Sequence, residues 1–431
     1  MRKSLKIQGQ QLMLLSFTVG NFRSFKENKT FSMRAASIQE LKEFVREDCS
    51  ESILPVTAIY GANSSGKSNL LTAMMTMRSL LLSSIKTNPT EALETDIFKL
   101  DEAYSQEPTH FEVVCTIESK IYRYGFEYNA TKILKEWLYD ATKGKEKLLF
   151  TRNENGIGVD DKFAEGKGKE EMTTDNKLFL SVVANFNGKT SYSVMNWFQH
   201  FNIISGINDD DFKFFSIDYI TKDSPEAAKT KSFLGSMDLG FSSLKKTELN
   251  FEDTFPPNFP EDLRKDLLKK YPNSKTPFLK SGHMVHLNDG SSTEQFFSVE
   301  EMESEGTKKI LNMSGPIMDT LANGYTLVID ELDAKLHPLL TRKIIETFNS
   351  PETNPNKAQL IFATHDTNLL SNKILRRDQI WFAEKDRNDE STDIYPLSDI
   401  REQNGDKIRN DRVYEKDYIN GKYGAIPFLR S

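Results

Sequence analysis

The chain has 431 residues, a length that exceeds one ordinary hydrophobic core and predicts two domains or one large domain with an insertion. Hydrophobic residues make up 38% and charged residues 28%, a balance typical of a soluble globular protein without a membrane helix. The net charge of −7 weighs against a dedicated nucleic-acid binder, which usually carries a basic surplus. The only two cysteines, Cys49 and Cys115, are far apart, which argues against disulfides and structural zinc and favours the cytoplasm.

The first elements along the chain are a lead, a hairpin and a strand–loop–helix unit. Residues 1–12 lack the apolar stretch of a signal peptide, and we expect a disordered lead there. Alternating apolar residues over 13–34, with a turn at Gly20–Asn21, predict a β-hairpin. The apolar run 56–60 predicts a strand, and apolar residues on one face predict a helix over about 67–84.

Between that strand and that helix, residues 61–68 read Gly-Ala-Asn-Ser-Ser-Gly-Lys-Ser. A glycine-rich turn alone could have this pattern by chance, but the strand–loop–helix context is typical of a phosphate-binding loop, or P-loop. Lys67 is expected to reach the β- and γ-phosphates of a nucleotide, and the Ser68 hydroxyl to bind Mg²⁺. Further expected nucleotide contacts are Gly61, Asn63, Ser64, Ser65, Gly66 and Asn69.

The middle of the chain has a different character. Strand patterns over 109–139 are followed by charged loops and by helical patches at 194–203 and 260–271. We therefore expect an inserted, mainly helical lid over 141–295, after which strong patterns resume.

An acidic turn follows the apolar residues of 326–329, where Asp330 and Glu331 end a predicted strand. A P-loop enzyme needs carboxylates to hold Mg²⁺ and to activate water, the roles expected of Asp330 and Glu331 respectively. The alternative is a buried strand that ends in a solvated acidic turn. The presence of the P-loop favours the first interpretation.

Two weaker patterns complete the set. A later apolar strand ends at His365, which by itself is usually a structural residue, but which is expected at the same sheet edge as Glu331. Residues 304–307, Ser-Glu-Gly-Thr, precede a helix and could form an anion site, although an ordinary helix cap has the same pattern.

The order of these motifs resembles the ABC-type ATPase heads of the SMC, Rad50 and RecF group. Residues 61–68, 304–307, 330–331, 332–334 and His365 are similar to its Walker A, signature, Walker B, D-loop and switch histidine. The segment 21–25 also looks like the opening motif of this group, whose arginine, here Arg23, lies near the nucleotide.

This resemblance implies an α/β fold of the P-loop NTPase class, an ABC-ATPase head with a mixed sheet. One lobe, with Walker A, is expected over 13–140, and the other lobe over 296–431. ATP and Mg²⁺ are the implied cofactors, with Glu331 and His365 as catalytic residues and Ser68 and Asp330 as metal ligands. The additional nucleotide contacts that the resemblance implies are Arg23, Ser304, Gly306, Thr307 and Asp333.

More narrowly, three stretches look like bacterial RloA/AbiL-type anti-phage ATPases, relatives of the PtuA and AriA proteins. They are residues 303–309, 330–338 and 421–427. The resemblance implies an ATP-linked homodimer in which the signature serine of one subunit completes the site of the other. It also implies a sensor that controls a separately encoded nuclease or toxin, because no second catalytic set is present. The signature departs from the transporter Leu-Ser-Gly-Gly-Gln, and Gln106 is a Q-loop candidate by position only.

The alternatives belong to other classes. A RecF/Rad50-like DNA-repair ATPase would bind DNA directly, but the net acidity and the missing coiled coil weigh against it. A scaffold that binds ATP without turnover is disfavoured by Glu331. Three further groups have no predicted catalytic or metal-binding role. His283 and His286 lack a matching carboxylate or cysteine cluster, and residues 209–211 are interpreted as a solvated loop. Arg376–Arg377 and the basic residues of 401–416 are interpreted as a solvated face or a partner surface.

Overall fold

The computed structural model describes residues 12–142, 144–256, 258–402 and 405–427. The expected lead over 1–12 lies outside the described residues, apart from Leu12, which begins the first strand. In the part of the chain that is described, no helix has the length and apolar character needed to cross a membrane.

The strands in chain order are β1 (Leu12–Gly20), β2 (Lys29–Ser32), β3 (Arg46–Asp48), β4 (Glu51–Ile53), β5 (Val56–Tyr60), β6 (Thr109–Ile117), β7 (Lys120–Tyr128), β8 (Ile133–Asp140), β9 (Lys147–Asn153), β10 (Gly156–Val159), β11 (Phe201–Ser205), β12 (Ser243–Asn250), β13 (Lys275–His286), β14 (Ser292–Ser298), β15 (Thr326–Asp330), β16 (Gln359–Ala363), β17 (Ile380–Lys385) and β18 (Thr392–Pro396). The α-helices are α1 (Lys67–Ser83), α2 (Phe179–Asn185), α3 (Lys189–Gln199), α4 (Lys213–Thr221), α5 (Pro225–Gly235), α6 (Glu261–Lys270), α7 (Val299–Met302), α8 (Glu305–Asn323), α9 (Pro338–Asn349) and α10 (Tyr414–Ile419).

The chain divides into two compact units, of which the first contains residues up to Gly206, Thr320–Ala334 and residues from Thr341 onward. Its seven-stranded sheet has the order β10-β9-β8-β7-β6-β1-β2, and all neighbours in it are antiparallel. The predicted hairpin is confirmed as β1 and β2, whose antiparallel pairing runs from Ser16 opposite Ser32 to Val19 opposite Lys29. The connection between these strands is longer than the expected tight turn.

The second sheet of this unit has the order β11-β15-β16-β5-β17-β18. Its first five strands are parallel, and only β18 runs antiparallel to its neighbour. Strands β5 and β16 are buried at every residue, as expected for parallel strands that are covered on both faces. Because parallel strands end at the same edge, the loops that follow these strands converge there. The predicted α/β class with a mixed sheet is confirmed.

The core of the first unit joins its two sheets through α1. The buried face of this helix includes Leu70, Met74 and Met77, and these residues belong to the same apolar cluster as residues of both sheets. The rings of Phe31 and Trp381, one from each sheet, lie 5.0 Å apart between centroids. This packing holds the helix that begins at the P-loop.

The second unit contains Ile207–Asp319 and Lys335–Leu340. It consists of helices together with a three-stranded antiparallel sheet of order β12-β13-β14. The expected lid over 141–295 differs from this division, because β9 and β10 extend the first sheet and β11 extends the second. The helical patch expected over 194–203 is confirmed up to Gln199, where α3 ends, and is replaced by β11 from Phe201 onward. These strands are short, and their pairing with strands distant in the sequence determines their conformation more than their own apolar and polar residue pattern does.

Two interpretations of charged residues as solvated are wrong for one residue each, Arg376 and Asp209, whereas Asp210 and Asp211 are exposed as expected. The Arg376 side chain is 1% exposed, and it donates hydrogen bonds to Asp378 and to the carbonyl oxygen of Glu40. Asp209 is also buried, where it accepts a hydrogen bond of 2.8 Å from the Asn312 amide. Buried charges of this kind are tolerated when they are paired, and the contacts to Glu40 and Asn312 join positions far apart in the sequence.

Candidate functional site

The P-loop, residues 61–68, connects β5 to α1, as predicted. Ser65, Gly66 and Lys67 are buried, whereas Ser68 at the start of the helix is exposed. No side chain of the described residues caps the N terminus of α1. The first N–H groups of this 17-residue helix, and the partial positive charge of its dipole, are therefore directed toward an anion-binding position.

Thr392 at the start of β18 braces the P-loop. Its hydroxyl donates 2.9 Å to the carbonyl oxygen of Ser65 and lies 2.7 Å from the Ser24 hydroxyl, which in turn accepts from the Asn69 amide at 2.7 Å. Gly66 has a φ of 106°, and a Cβ there would lie 2.2 Å from the Thr392 hydroxyl. Only glycine fits both constraints. Sequence analysis missed Thr392, for which no local signal exists, and Ser24, which only its neighbour Arg23 indicated.

The Lys67 ammonium group donates to the carbonyl oxygens of residues 61 and 62 at 2.8 and 3.0 Å. Burial lowers the pKa of Lys67 to about 8, because the protein interior disfavours its charge. Nearby carboxylates oppose this effect, which means that they lie within electrostatic range of the ammonium group. They belong to Asp330, Glu331 and Asp333.

A strained turn orients the two acidic residues at the end of β15, Asp330 within the strand and Glu331 directly after it. Glu331 has a φ of 56°, in the left-handed region that non-glycine residues rarely occupy. The N–H of Gly206 donates to the carbonyl oxygen of Asp330 at 2.6 Å, and a Cβ on Gly206 would lie 2.2 Å from the Glu331 carbonyl oxygen. On the other side, the N–H of Leu332 donates to Ala363 at 3.2 Å. The turn is therefore held between β11 and β16, a role of Gly206 that no sequence signal indicated.

His365 lies at the same edge of the sheet, two residues after β16. Its backbone N–H donates to the Asp333 carboxylate at 3.4 Å. Partial burial, followed by the charge of Lys67, lowers the pKa of His365 below its usual value. This direction favours the neutral imidazole, which keeps one N–H donor. The structure thus brings together five of the predicted site residues, namely Lys67, Asp330, Glu331, Asp333 and His365.

Arg23 lies beside the first turn of α1. Its Nε donates to the Asp96 carboxylate at 2.8 Å, and its guanidinium approaches the Asn69 side-chain oxygen at 3.5 Å. A cavity of about 360 Å³ opens there, a volume typical of small-molecule sites, and Arg23, Ser64 and Asn69 line it. Three of the residues expected to contact the nucleotide therefore line the same cavity.

The signature residues, 304–307, lie in the second unit. Ser304 is exposed, and its hydroxyl accepts a hydrogen bond of 3.2 Å from the backbone N–H of Thr307. It thereby caps α8. Gly306 packs closely on the chain, since a Cβ there would lie 2.8 Å from the carbonyl oxygen of Lys335. The alternative interpretation of Ser304 as a helix cap is thus confirmed. The capping Ser304 side chain remains exposed to solvent.

The residues at the P-loop suit Mg²⁺. One carboxylate oxygen of Asp330, Oδ1, is buried and has no hydrogen-bond partner among the residues that the structure describes. Within those same residues, no group of three or more His, Cys, Asp or Glu side chains could hold a metal by itself. Magnesium in phosphate-transfer sites takes one or two protein ligands and completes its shell with phosphate and water. The Ser68 hydroxyl and the Asp330 carboxylate match that requirement.

Residues 56–371 match the protein family described as "AAA domain, putative AbiEii toxin, Type IV TA system". The chain belongs to this AAA family. The matched range contains the P-loop, the acidic turn after β15 and His365. A search of the curated proteins found no match.

Several solved structures are similar to this AAA chain at low sequence identity. The SmcHead bound to the C-winged helix domain of ScpA is 12% identical, with a TM-score of 0.43, over 89% of this chain and 97% of that chain. The SMC head domain from Thermotoga maritima is 13% identical, with a TM-score of 0.40, over 89% and 98%. The Smc head domain derived from Pyrococcus furiosus, with an extended coiled coil and the C-terminal domain of ScpA, is 10% identical, with a TM-score of 0.38, over 90% and 96%. These TM-scores carry no functional inference.

Proposed function

We propose that this chain is an ATP-binding and ATP-hydrolysing switch of the ABC type that uses Mg²⁺. The observation that carries the proposal is that a lysine and several carboxylates of opposite charge lie close together at one edge of the six-stranded sheet. The buried Lys67 interacts electrostatically with Asp330 and Glu331, which follow a strand far away in the sequence. A buried lysine beside carboxylates at a helix N terminus suits a site that takes up phosphates together with a cation.

Each residue then has a distinct role in hydrolysis. The N–H groups of the P-loop bind the phosphates. The Lys67 ammonium group exchanges its hydrogen bonds to the carbonyl oxygens of the loop for hydrogen bonds to phosphate oxygens. Glu331 accepts the proton of the attacking water, and the neutral His365 donates a hydrogen bond toward the γ-phosphate. When bound, Mg²⁺ on Ser68 and Asp330 supplies positive charge that neutralises the phosphate oxygens.

The proposed switch works as a homodimer linked by ATP. The exposed Ser304, with Gly306 and Thr307, would bind the γ-phosphate held by the partner subunit, and Asp333 would lie at the interface. The exposure of Ser304 and the resemblance to ABC-type heads support this arrangement. ATP would then hold the subunits together, and hydrolysis would release them.

The biological role that we propose is regulation of a separately encoded nuclease or toxin in anti-phage defence, in the cytoplasm, as in RloA/AbiL-type ATPases. The family description, which names a putative AbiEii toxin of a type IV toxin–antitoxin system, supports a connection with toxin–antitoxin systems. Co-expression of the chain with its neighbouring genes should reduce phage plating, and Lys67→Ala should restore it. Equal protection by both proteins would overturn the proposed link between nucleotide and defence.

ATP turnover of the purified chain tests the enzymatic proposal directly. Lys67→Ala should abolish ATP binding in calorimetry, because the P-loop then has no cation directed at the phosphates. Glu331→Gln should still bind ATP but hydrolyse it about 10²–10⁴-fold more slowly. The matched controls are Lys86→Ala and Glu346→Gln, at exposed positions outside the site, which should behave as wild type. Tight ATP binding by Lys67→Ala would refute the assignment of the site.

A further inference from the structure

The C-terminal segment packs against the edge of the sheet where the candidate site lies. The Tyr418 ring, on α10, stacks on Phe382 of β17 at 5.4 Å between centroids. It also contacts the edge of Tyr60, the last residue of β5, at 6.0 Å. Both strands end beside the P-loop, and α10 is therefore anchored on the strands that position this loop.

The same segment contacts residues 364–369, which contain His365 and are called the switch loop below. The contact lies two residues after His365. The Thr367 hydroxyl donates to the Glu415 carboxylate at 2.9 Å. One residue earlier, the Tyr60 hydroxyl donates to the carbonyl oxygen of Asp366 at 3.2 Å. The N–H of His365 itself is held by Asp333. The loop is thus restrained on both sides of the imidazole, and Glu415 provides one of these restraints from a separate element.

The restraint is firm because the C-terminal segment is itself cross-linked by hydrogen bonds. The buried Asp417 carboxylate accepts from Arg412 at 2.7 Å and from Lys422 at 2.8 Å. The Tyr418 hydroxyl donates to the carbonyl oxygen of Ala425 at 3.0 Å. These bonds fold the stretch 421–427, which sequence analysis singled out without a role, back onto α10. A support that is ordered in this way can hold the Glu415 carboxylate in place.

We infer that Glu415 is a positioning residue that orients His365 through Thr367, with Tyr418 as its anchor. This inference rests on the proposed ATPase function for its effect on turnover, although not for its effect on the loop. A γ-phosphate hydrogen bond requires the imidazole to lie within a fraction of an ångström of its working position. Residues 364–369 lie outside the strands and α-helices, so contacts to other elements fix their position, and the Thr367–Glu415 bond is such a contact.

The test compares Glu415→Ala, Glu415→Gln and Thr367→Ala with Lys416→Ala, an exposed neighbour on α10. Glu415→Ala and Thr367→Ala should each lower kcat on the order of tenfold to a hundredfold, with KM for ATP changed less than about twofold. Glu415→Gln should restore most of kcat, because its amide oxygen still accepts the hydrogen bond. The double variant Glu415→Ala/Thr367→Ala should have a kcat no lower than that of either single variant, since the two residues share one interaction. A kcat of Glu415→Ala equal to that of Lys416→Ala would overturn the inference.

Amide hydrogen exchange provides a readout that does not depend on turnover. Glu415→Ala and Thr367→Ala should speed exchange in the switch loop, while the amides of the P-loop keep their wild-type rates. If the wild-type chain does not hydrolyse ATP but this change occurs, the proposed function fails and the positioning role stands. Unchanged exchange in the switch loop would overturn the positioning role even in an active ATPase. Thr367→Ala serves both assays should Glu415→Ala fail to fold.

Discussion

The Thr392 hydroxyl donates a hydrogen bond of 2.9 Å to the backbone carbonyl oxygen of Ser65 inside the P-loop. Ser65 lies in the loop after β5, and Thr392 is the first residue of β18. They meet because β18 runs antiparallel to β17, so that β18 begins at the edge of the sheet where the parallel strands end. The same hydroxyl also lies against Gly66 and Ser24. The shape of the P-loop therefore depends on a residue outside its own motif.

Thr392→Val should weaken ATP binding while leaving the fold intact, because valine keeps the shape of threonine but leaves the Ser65 carbonyl oxygen without its donor. The loss of one such bond costs about 1 kcal/mol or more, which corresponds to roughly a fivefold weaker Kd. Calorimetric titration with ATP and Mg²⁺ measures the effect. Thr30→Val, at an exposed position of β2, is the control. An unchanged Kd in Thr392→Val would show that the brace is dispensable.

Gly206→Ala should reduce hydrolysis far more than ATP binding. The new methyl group would lie 2.2 Å from the carbonyl oxygen of Glu331 and would displace the turn that orients this carboxylate. The three atoms nearest to this methyl position all belong to Asp330 and Glu331, so KM for ATP should change less than kcat. Steady-state kinetics should show kcat reduced on the order of a hundredfold. Gly235→Ala, at a glycine with open space around it, serves as the control, and similar kinetics of both variants would contradict the role of Gly206.

ATP affinity should fall as the pH rises above about 8. Burial lowers the pKa of Lys67 to about 8 in the nucleotide-free protein, whereas bound phosphate favours the charged ammonium and raises that pKa again. Above pH 8 the free protein has lost the proton and the complex retains it, so binding must take up a proton and weakens with increasing pH.

Calorimetry at pH 7, 8 and 9, in two buffers with different ionisation enthalpies, measures this proton uptake. We expect uptake to approach one proton per ATP at pH 9 and to be small at pH 7. The same measurement on Lys86→Ala should reproduce the wild-type profile. A Kd that does not vary between pH 7 and 9 would mean that Lys67 stays charged without nucleotide.

Ser304 should act on the ATP of the partner subunit. In an isologous dimer, a mixture of Lys67→Ala and Ser304→Arg subunits forms heterodimers in which one site carries both substitutions and the other carries neither. The mixture should therefore regain ATPase activity that neither variant has alone. The result also depends on one intact site being sufficient for turnover.

Trapping of labelled ATP at one site per heterodimer checks the same arrangement without that condition. Heterodimer formation itself is followed with two different affinity tags on the two variants. If tagged heterodimers form and show neither activity nor trapping, Ser304 does not complete the site of its partner.

Local patterns were sufficient to predict the central elements of this site. The strand 56–60, the P-loop and the helix from Lys67 all lie where the sequence indicated, because glycine spacing and apolar periodicity act over a few residues. The acidic turn was placed correctly at the end of β15 for the same reason. Position in the chain thus follows from short-range chemistry.

Sequence patterns failed where a residue takes its role from a distant partner. Thr392 and Gly206 have no distinctive neighbours in the sequence, and each matters only because the sheet order brings it against the P-loop or the Glu331 turn. Arg376 was predicted to be solvated, but its guanidinium is buried and donates to the carbonyl oxygen of Glu40, which lies 336 positions earlier in the chain. The strand Phe201–Ser205 likewise owes its conformation to its pairing with β15.

The physical reason is the range over which each interaction acts. Turns, helices and the phosphate-binding loop are specified by backbone conformations within about ten consecutive residues, and the order of the motifs, through their resemblance to ABC-type heads, implied the α/β class. The support of the site arises from hydrogen bonds and close contacts between elements hundreds of residues apart, as between Ser65 and Thr392. Such contacts form only when the strand order is set by packing of the whole core, and no local pattern encodes that order.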